Sequence, residues 1–280
     1  MIIAILLVLG LCLGSFVNAL VWRVHEQAEQ GDKKKPDKTY LRELSISKGR
    51  SMCPDCRHTL MAKDLIPVFS WLSVAGKCRY CQKPISWQYP VVELITPALF
   101  ILSYLYWPVA FSPSQIAVFV CWLLLLVGFM ALIVYDARWM ILPNRIVYPL
   151  MVIAIVSASV SVAYAKQPRT ALAHTILSMA VGGGIFYVLF QVSRGRWIGG
   201  GDVRLGWLYG LVLGAPEYSL MVLFLASLLG CMVALPLMAS RKLRGSSLIP
   251  FGPFLIVATI LVRLFGHSAL LWYQRALGLA

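Results

Sequence analysis

Two aspartates at the ends of apolar segments are the residues of this sequence best suited to acid–base chemistry. Asp136 follows a long apolar run, and Asp202 follows three glycines, Gly199, Gly200 and Gly201. Two carboxyl groups held close together share a proton, so one can activate water while the other donates to a peptide carbonyl. The glycines have no side chains and would let an extended peptide approach Asp202 closely. The pair therefore predicts peptide-bond hydrolysis by general acid–base catalysis.

Each aspartate also has a simpler interpretation. Asp136 could be a solvated loop residue paired with Arg138, and Asp202 could cap the helix that follows it, because aspartate is favoured at the N-cap. An ionisable residue beside a membrane helix is nevertheless costly and is a functional candidate by default. These two are among only four carboxylates outside residues 23–88. Their shared position at helix ends favours a pair, although spacing alone does not prove that they meet.

Four of the seven cysteines form two C-x-x-C pairs, Cys53 with Cys56 and Cys78 with Cys81. Two such turns supply four thiolates, which match the tetrahedral sulfur ligands of zinc and also suit iron. Redox-active pairs are the alternative, but disulfides are rare in a reducing cytoplasm. Because four cysteines leave no open position for water, the motif predicts a structural metal rather than a catalytic one.

The composition predicts that membrane helices position these residues. The chain has 280 residues, 60% of them hydrophobic, and a mean hydropathy of +0.78. Such values, together with repeated apolar runs of about 20 residues, predict an all-α polytopic membrane protein with about eight transmembrane helices. The first run lacks a basic n-region and an A-x-A site, which favours an uncleaved anchor over a signal peptide. The predicted helices are 2–22, 89–107, 115–135, 146–165, 171–192, 203–214, 219–239 and 249–266, and the sixth is short and broken by glycine.

The sequence predicts three regions. Residues 1–22 form the first transmembrane helix, residues 23–88 form a loop, and residues 89–280 form a membrane-embedded peptidase domain. Within the loop, residues 27–50 are rich in charge and predict a mobile linker, whereas residues 52–88 form a small zinc-binding module. A bound metal would stabilise a module that is too small to bury a sufficient core.

Basic residues predict the orientation. Most of the 25 Lys and Arg residues lie in 23–88 and in the loops 136–145, 193–204 and 240–248. This bias places those segments in the cytoplasm and the N-terminus outside. It also accounts for the net charge of +14, so we expect contact with membrane lipid and no nucleic-acid partner.

Six ordered motifs run through the chain. They are Gly14-Ser15-Phe16-Val17-Asn18; the two C-x-x-C pairs; Ile85-Ser86 followed by Tyr89-Pro90-Val91-Val92-Glu93-Leu94; Asp136 with Leu142-Pro143; Gly199-Gly200-Gly201-Asp202; and Ile249-Pro250-Phe251-Gly252-Pro253-Phe254. In this combination and order the chain resembles the bacterial type IV prepilin peptidases over nearly its whole length.

The resemblance implies an inner-membrane enzyme that removes a short basic leader from prepilins and pseudopilins, after a glycine and at the cytoplasmic face. Asp136 and Asp202 would be its catalytic pair. It also implies methylation of the new N-terminus with S-adenosylmethionine, near the junction that contains Gln88 and Glu93. The chain departs from the family pattern at Gln88, where many relatives carry arginine, and at Asn144, which replaces an aspartate.

Two other functions use the same residues. A transporter or channel could use the aspartates as ion sites, and would then place a carboxylate near mid-bilayer within an inverted repeat. A non-catalytic assembly factor could use the cysteine module to recruit a partner. It would tolerate substitution of both aspartates.

Overall fold

The computed structural model describes residues 1–33, 37–46, 49–240 and 249–278. Within these ranges the chain is helical, and its β-structure is limited to two isolated bridges, which confirms the all-α prediction. The chain divides into two compact units, Met1–Tyr104 and Leu105–Ala280. Part of the charged segment and nearly all of the basic loop 240–248 lie outside the described residues. The α-helices are α1 Ile2–Gly31, α2 Lys38–Glu43, α3 Phe69–Ser73, α4 Gln88–Leu105, α5 Pro113–Trp139, α6 Asn144–Ala163, α7 Pro168–Met179, α8 Ile185–Ser193, α9 Gly200–Leu213, α10 Pro216–Ala239 and α11 Gly252–Ala276.

Seven helical segments in the described part of the chain are long and apolar enough to cross a membrane. They are α1, α4, α5, α6, the segment Pro168–Ser193, α10 and α11. The segment Pro168–Ser193 joins α7 to α8 through a π-helical turn, Ala180–Gly184. The remaining predicted transmembrane helix, the sixth in chain order, is α9, which has 14 residues. At 1.5 Å per residue it is about 21 Å long, shorter than a hydrocarbon core of about 30 Å. The prediction that this helix would be short agrees with its length.

In the first unit, α1 continues past the predicted end at residue 22 to Gly31 and packs closely on α4. A Cβ on Gly10 would lie 2.4 Å from the Cα of Pro97, and one on Gly14 would lie 2.9 Å from the Cα of Glu93. Small residues four positions apart allow two membrane helices to approach at backbone distance. The early glycine motif therefore has a packing function.

The segment between α1 and the module is more ordered than the sequence suggested. Buried Arg23 donates hydrogen bonds to the carbonyls of Ser45, Ile46 and Gly49, at 3.1, 3.3 and 3.0 Å. Leu44, which ends α2, is fully buried. The prediction of a mobile linker is therefore wrong for the described part, because a buried arginine needs acceptors and these carbonyls provide them.

In the second unit, the short helix α9 lies among the longer ones and packs against α7 and the π-helical turn. A Cβ on Gly206 would lie 2.8 Å from the carbonyl oxygen of Gly182, and one on Gly210 would lie 2.7 Å from the Cα of Met179. The helix ends at Gly214, whose φ of +67° favours glycine. Close backbone contact thus fixes the helix that carries Asp202 in its first turn.

Candidate active site and metal centre

Asp136 lies in the last full turn of α5 and is only 5% exposed. The helix ends just after it, where Met140 adopts a left-handed conformation and its N–H bonds to the Asp136 carbonyl at 2.8 Å. The carboxylate accepts a hydrogen bond from the backbone N–H of Gly252, the first residue of α11. The alternative of a solvated loop residue is therefore wrong: the side chain is buried against a helix N-terminus, which favours an anion.

Asp202 is the third residue of α9, and its carboxylate accepts a hydrogen bond from the N–H of Gly199, the N-cap residue. The interpretation of Asp202 as the N-cap residue is therefore wrong, because Gly199 occupies that position. Asp202 does not occupy the N-cap, but it reaches back to that residue, as the acidic member of a capping box does. An ionised carboxylate can accept several hydrogen bonds, so the bond from the Gly199 N–H leaves lone pairs of Asp202 that can accept others.

The fold of the second unit brings the two aspartates into one neighbourhood. Burial is the main cause that raises the pKa of Asp202, and the charge of the nearby Asp136 carboxylate raises that pKa further. Leu142 packs close to Gly201, which precedes Asp202, and to Gly252, which bonds to Asp136: Cβ atoms added at these glycines would lie 3.0 Å from its Cβ and 3.5 Å from its Cδ2. Neighbouring acids that repel each other are the arrangement in which a shared proton is favoured.

The three glycines before Asp202 differ in their surroundings. Only Gly201 is tightly packed, against Leu142, whereas an added Cβ at Gly199 or Gly200 would meet nothing closer than 3.6 Å. None of the three has a positive φ. Their absent side chains leave space beside Asp202 instead of permitting an unusual backbone conformation.

Two residues that support this site were not predicted from the sequence. Gly252 belongs to a motif that was recognised only by resemblance, and its contact with Asp136 depends on packing between distant segments. Arg204 donates a hydrogen bond to the side-chain oxygen of Asn144 and so ties the start of α6 to α9. Asn144 was noted in the sequence because it replaces an aspartate of the family pattern, but the sequence did not indicate that Arg204 is its partner.

The four cysteines converge in the first unit. Their sulfur atoms all lie within 4.8 Å of one another, and those of Cys53 and Cys81 are 3.9 Å apart. Zn–S bonds of about 2.3 Å in a tetrahedron require sulfur atoms about 3.8 Å apart. The four thiols of Cys53, Cys56, Cys78 and Cys81 therefore fit a zinc ion.

Two similar hairpins build this cluster. In the first, the N–H of Cys53 bonds to the His58 carbonyl at 3.0 Å; in the second, the N–H of Cys78 bonds to the Lys83 carbonyl at 2.8 Å. A residue with positive φ follows each C-x-x-C pair, at Arg57 and Gln82. The repeated geometry turns both pairs of thiols towards a common point.

Asp64 links the module's other segments to the second hairpin. Its carboxylate accepts hydrogen bonds from the Tyr80 hydroxyl at 2.9 Å and from the Arg79 guanidinium at 3.0 Å. Burial acts to raise the pKa of Asp64, but these bonds and the N–H of Met61 outweigh it and hold that pKa below its usual range. The ionised carboxylate is therefore part of the module's structure.

Gln88 and Glu93 connect α4 to α1 and to the module. The Gln88 amide donates to the side-chain oxygen of Asn18 at 3.2 Å. Buried Glu93 accepts hydrogen bonds from the Val68 N–H at 2.7 Å and from the Ser15 hydroxyl. Both residues lie in the predicted junction, and their polar groups are directed at protein partners.

Fold and site together define a class: a polytopic membrane protein with paired acids in its second unit and a four-cysteine module in its first. Residues 8–107 match the Bacterial Peptidase A24 N-terminal domain, and residues 117–235 match the Type IV leader peptidase family. The chain belongs to the type IV leader peptidase family.

Individual relatives align over nearly the full length. The chain is 30% identical to the Prepilin leader peptidase/N-methyltransferase of Bacillus subtilis, across 99% of this chain and 100% of that protein. It is 31% identical to the protein of the same name from Aeromonas hydrophila, across 94% and 91% of the two chains. It is 30% identical to the Type 4 prepilin-like proteins leader peptide-processing enzyme of Escherichia coli, across 90% and 89%. No solved structure matched the chain.

Proposed function

We propose that this protein is an aspartic endopeptidase that removes the leader of type IV prepilins and pseudopilins, with Asp136 and Asp202 as its catalytic pair. The observation that carries the proposal is that these two acids lie close enough for the charge of one to act on the other. They come from helices far apart in the sequence, and each accepts a backbone N–H at a helix start. The names of the relatives support prepilins as the substrate class.

In this mechanism the pair holds one proton. The ionised carboxylate removes a proton from water as the water oxygen bonds to the scissile carbonyl carbon, and the protonated carboxyl group donates to the carbonyl oxygen. The resulting tetrahedral diol collapses when the C–N bond breaks: the carboxyl group that took the proton from water gives it to the leaving nitrogen, and the other carboxylate takes a proton from a diol hydroxyl, which leaves the pair with one proton again. No covalent bond to the protein forms.

The open backbone at Gly199 and Gly200 suits an extended peptide. A bond within a membrane helix is already hydrogen-bonded and shielded, so the substrate's helix must unwind at the cleavage point. A glycine at that point lowers the cost of unwinding. We place the site at the cytoplasmic face of the bacterial inner membrane, with the N-terminus outside, because the loops near both aspartates are basic.

The test is co-expression with a prepilin, with leader loss measured by mass spectrometry. Asp136→Asn and Asp202→Asn should each abolish leader removal, because an amide can neither accept nor share the proton. Glu217→Gln, which alters another carboxylate of the second unit at the start of α10, is the matched control and should leave cleavage intact. Cleavage by either aspartate variant at the normal rate contradicts the proposal.

We also propose that the protein methylates the N-terminus it exposes, because several full-length relatives carry N-methyltransferase in their names. S-adenosylmethionine would supply the methyl group. Gln88 and Glu93 are the candidate residues of the methyl-transfer region, and they contact Asn18, Val68 and Ser15. Their support for methyl transfer is positional: they hold the module against α4.

Variants at Glu93 test that positional role. Glu93→Leu removes the acceptor for the Val68 N–H and should reduce N-terminal methylation more than leader removal, as measured on the same mass spectra. Glu93→Gln keeps a carbonyl oxygen and should retain most methylation. Equal loss of both activities in the leucine variant contradicts a role confined to the module.

A further inference from the structure

The module in the first unit carries an exposed apolar surface, here called the apolar edge, formed by Ile66, Phe69, Leu72 and Trp87. These side chains are 50%, 70%, 60% and 70% exposed. Single exposed apolar residues are common on proteins, but a group of large ones marks a surface that binds an apolar partner.

Hydrogen bonds and a ring contact hold the residues of the apolar edge in place. Ile66, Phe69 and Leu72 recur at every third position, and the Leu72 N–H bonds to the Val68 carbonyl at 3.0 Å, so Phe69 and Leu72 share one face of a helical turn. In the same turn, the ring of Trp71 packs on that of Trp87, with the ring centroids 4.2 Å apart. The Trp71 indole also donates to the Ile85 carbonyl at 3.2 Å.

A hydrogen bond fixes the height of the apolar edge along α4. The Val68 N–H donates to the Glu93 carboxylate at 2.7 Å and holds Val68 at a positive φ of 63° that a β-branched residue rarely adopts. Glu93 is in the second turn of α4, about 7–8 Å along the axis from its first residue at 1.5 Å per residue. The turn that carries Phe69 and Leu72 therefore lies level with the first turns of a membrane-length helix.

The apolar edge adjoins further exposed apolar side chains on α4. Trp87 immediately precedes α4, and the side chains of Val91, Leu94 and Ile95 on the first turns of that helix are exposed as well. Tryptophan and other aromatic side chains favour the border between water and lipid. Exposed apolar side chains thus run from the first turns of α4 through Trp87 to the module.

We infer that the apolar edge inserts into the lipid leaflet that borders the module, so that phospholipid is the partner of this surface. Residues 52–88 contain five basic side chains against two acidic ones, which suits anionic headgroups around the inserted side chains. The contact would hold the module at a fixed height beside the start of α4. This inference concerns the first unit and does not depend on the catalytic pair.

Photocrosslinking in the full-length protein tests it. The photoreactive residue benzoylphenylalanine replaces Phe69 or Leu72, and, as the matched control, exposed Thr59 of the first cysteine hairpin. Each protein is placed in nanodiscs of phosphatidylglycerol and phosphatidylcholine with a prepilin present, after an unchanged thermal transition shows that it is folded. Mass spectrometry of the irradiated samples identifies what each position contacts.

Positions 69 and 72 should form phospholipid adducts at about ten times the yield at position 59, as expected for side chains at the membrane border. Adducts with the prepilin in place of lipid would assign the surface to substrate binding and overturn the inference. Adducts with peptides from residues 105–280, or equal lipid yields at all three positions, would overturn it as well.

Discussion

At the scale of single residues, the environment of Asp136 depends on a missing side chain. The first residue of α11 is a glycine, and its N–H reaches the buried carboxylate because no Cβ intervenes. An added Cβ at Gly252 would lie 2.6 Å from Oδ2 of Asp136, well inside contact distance. The glycine therefore shapes the position of the carboxylate as directly as a hydrogen-bonding side chain would.

Gly252→Ala should displace the Asp136 carboxylate and lower the rate of leader removal by about 10²-fold, the scale expected when a reacting group moves by about 1 Å. The rate is measured on a purified prepilin in detergent micelles.

Gly230→Ala is the matched control. An added Cβ there meets Phe254 and Phe251, beside the same glycine, only at ordinary contact distances of 3.8 and 3.9 Å. This variant should cleave normally. Equal rates in the two variants would show that Asp136 is not constrained by the start of α11.

At the scale of helices, α9 is held by close backbone contacts rather than by its length. Gly206 faces Gly182 in the π-helical turn, and Gly210 faces Met179 of α7. Short, tightly packed helices of this kind can carry a polar residue to a membrane boundary, because neighbouring helices shield their backbone from lipid. The π-helical turn lies at this contact, as such turns often do near functional sites.

Gly206→Ala should force α9 away from the π-helical turn and destabilise the protein by about 1–3 kcal/mol, the usual cost of overpacking. Thermal unfolding in detergent measures the change.

The control for this prediction lies in the same turn. Gly184→Ala adds a Cβ that meets nothing within 4 Å and should leave the unfolding temperature nearly unchanged. If both variants unfold at the wild-type temperature, the contact between α9 and the turn does not contribute to stability.

The four-cysteine module makes a second prediction at this scale. Purified protein should contain about one zinc per chain, since four thiols at tetrahedral spacing satisfy its coordination. A serine substitution at any one of Cys53, Cys56, Cys78 and Cys81 should reduce the zinc content, measured by inductively coupled plasma mass spectrometry. Cys231→Ser, on α10, should not change it. Stoichiometric iron, or full zinc in any of the four variants, would contradict the assignment.

At the scale of the whole molecule, the two units carry different chemistry. The first contains the cysteine cluster and the apolar edge, and the second contains both aspartates. α4, which the sequence assigned to the peptidase domain, falls in the first unit with the module. The described residues include seven membrane-length segments, and the basic loops near the aspartates are the basis of our proposal that the site faces the cytoplasm.

Reporter fusions test that orientation. Alkaline phosphatase joined after Gln167, between α6 and α7, should be active, because the phosphatase folds only outside the cytoplasm. The same enzyme joined after Arg196, between α8 and α9, should be inactive. A fluorescent protein that folds only in the cytoplasm should give the opposite pattern, and a reversed result at both points would place the aspartates on the outer face.

Several features of this protein can be predicted from local sequence because they depend on composition or short spacing. Apolar runs of membrane length indicate the helices, two C-x-x-C pairs indicate a metal site, and a triple glycine before Asp202 marks a helix start. Each signal is contained within a few turns of the chain. The prediction of a short sixth helix has the same origin, since its length is visible in the sequence.

Other features arise only when distant segments pack together. The burial of Asp136 requires Gly252 from more than a hundred residues away, and the height of the module requires the bond from Val68 to Glu93. The segment after α1 became ordered because buried Arg23 found three backbone carbonyls. Hydrogen bonds and steric contacts act over a few ångströms in space, so sequence separation does not reveal which groups will make them.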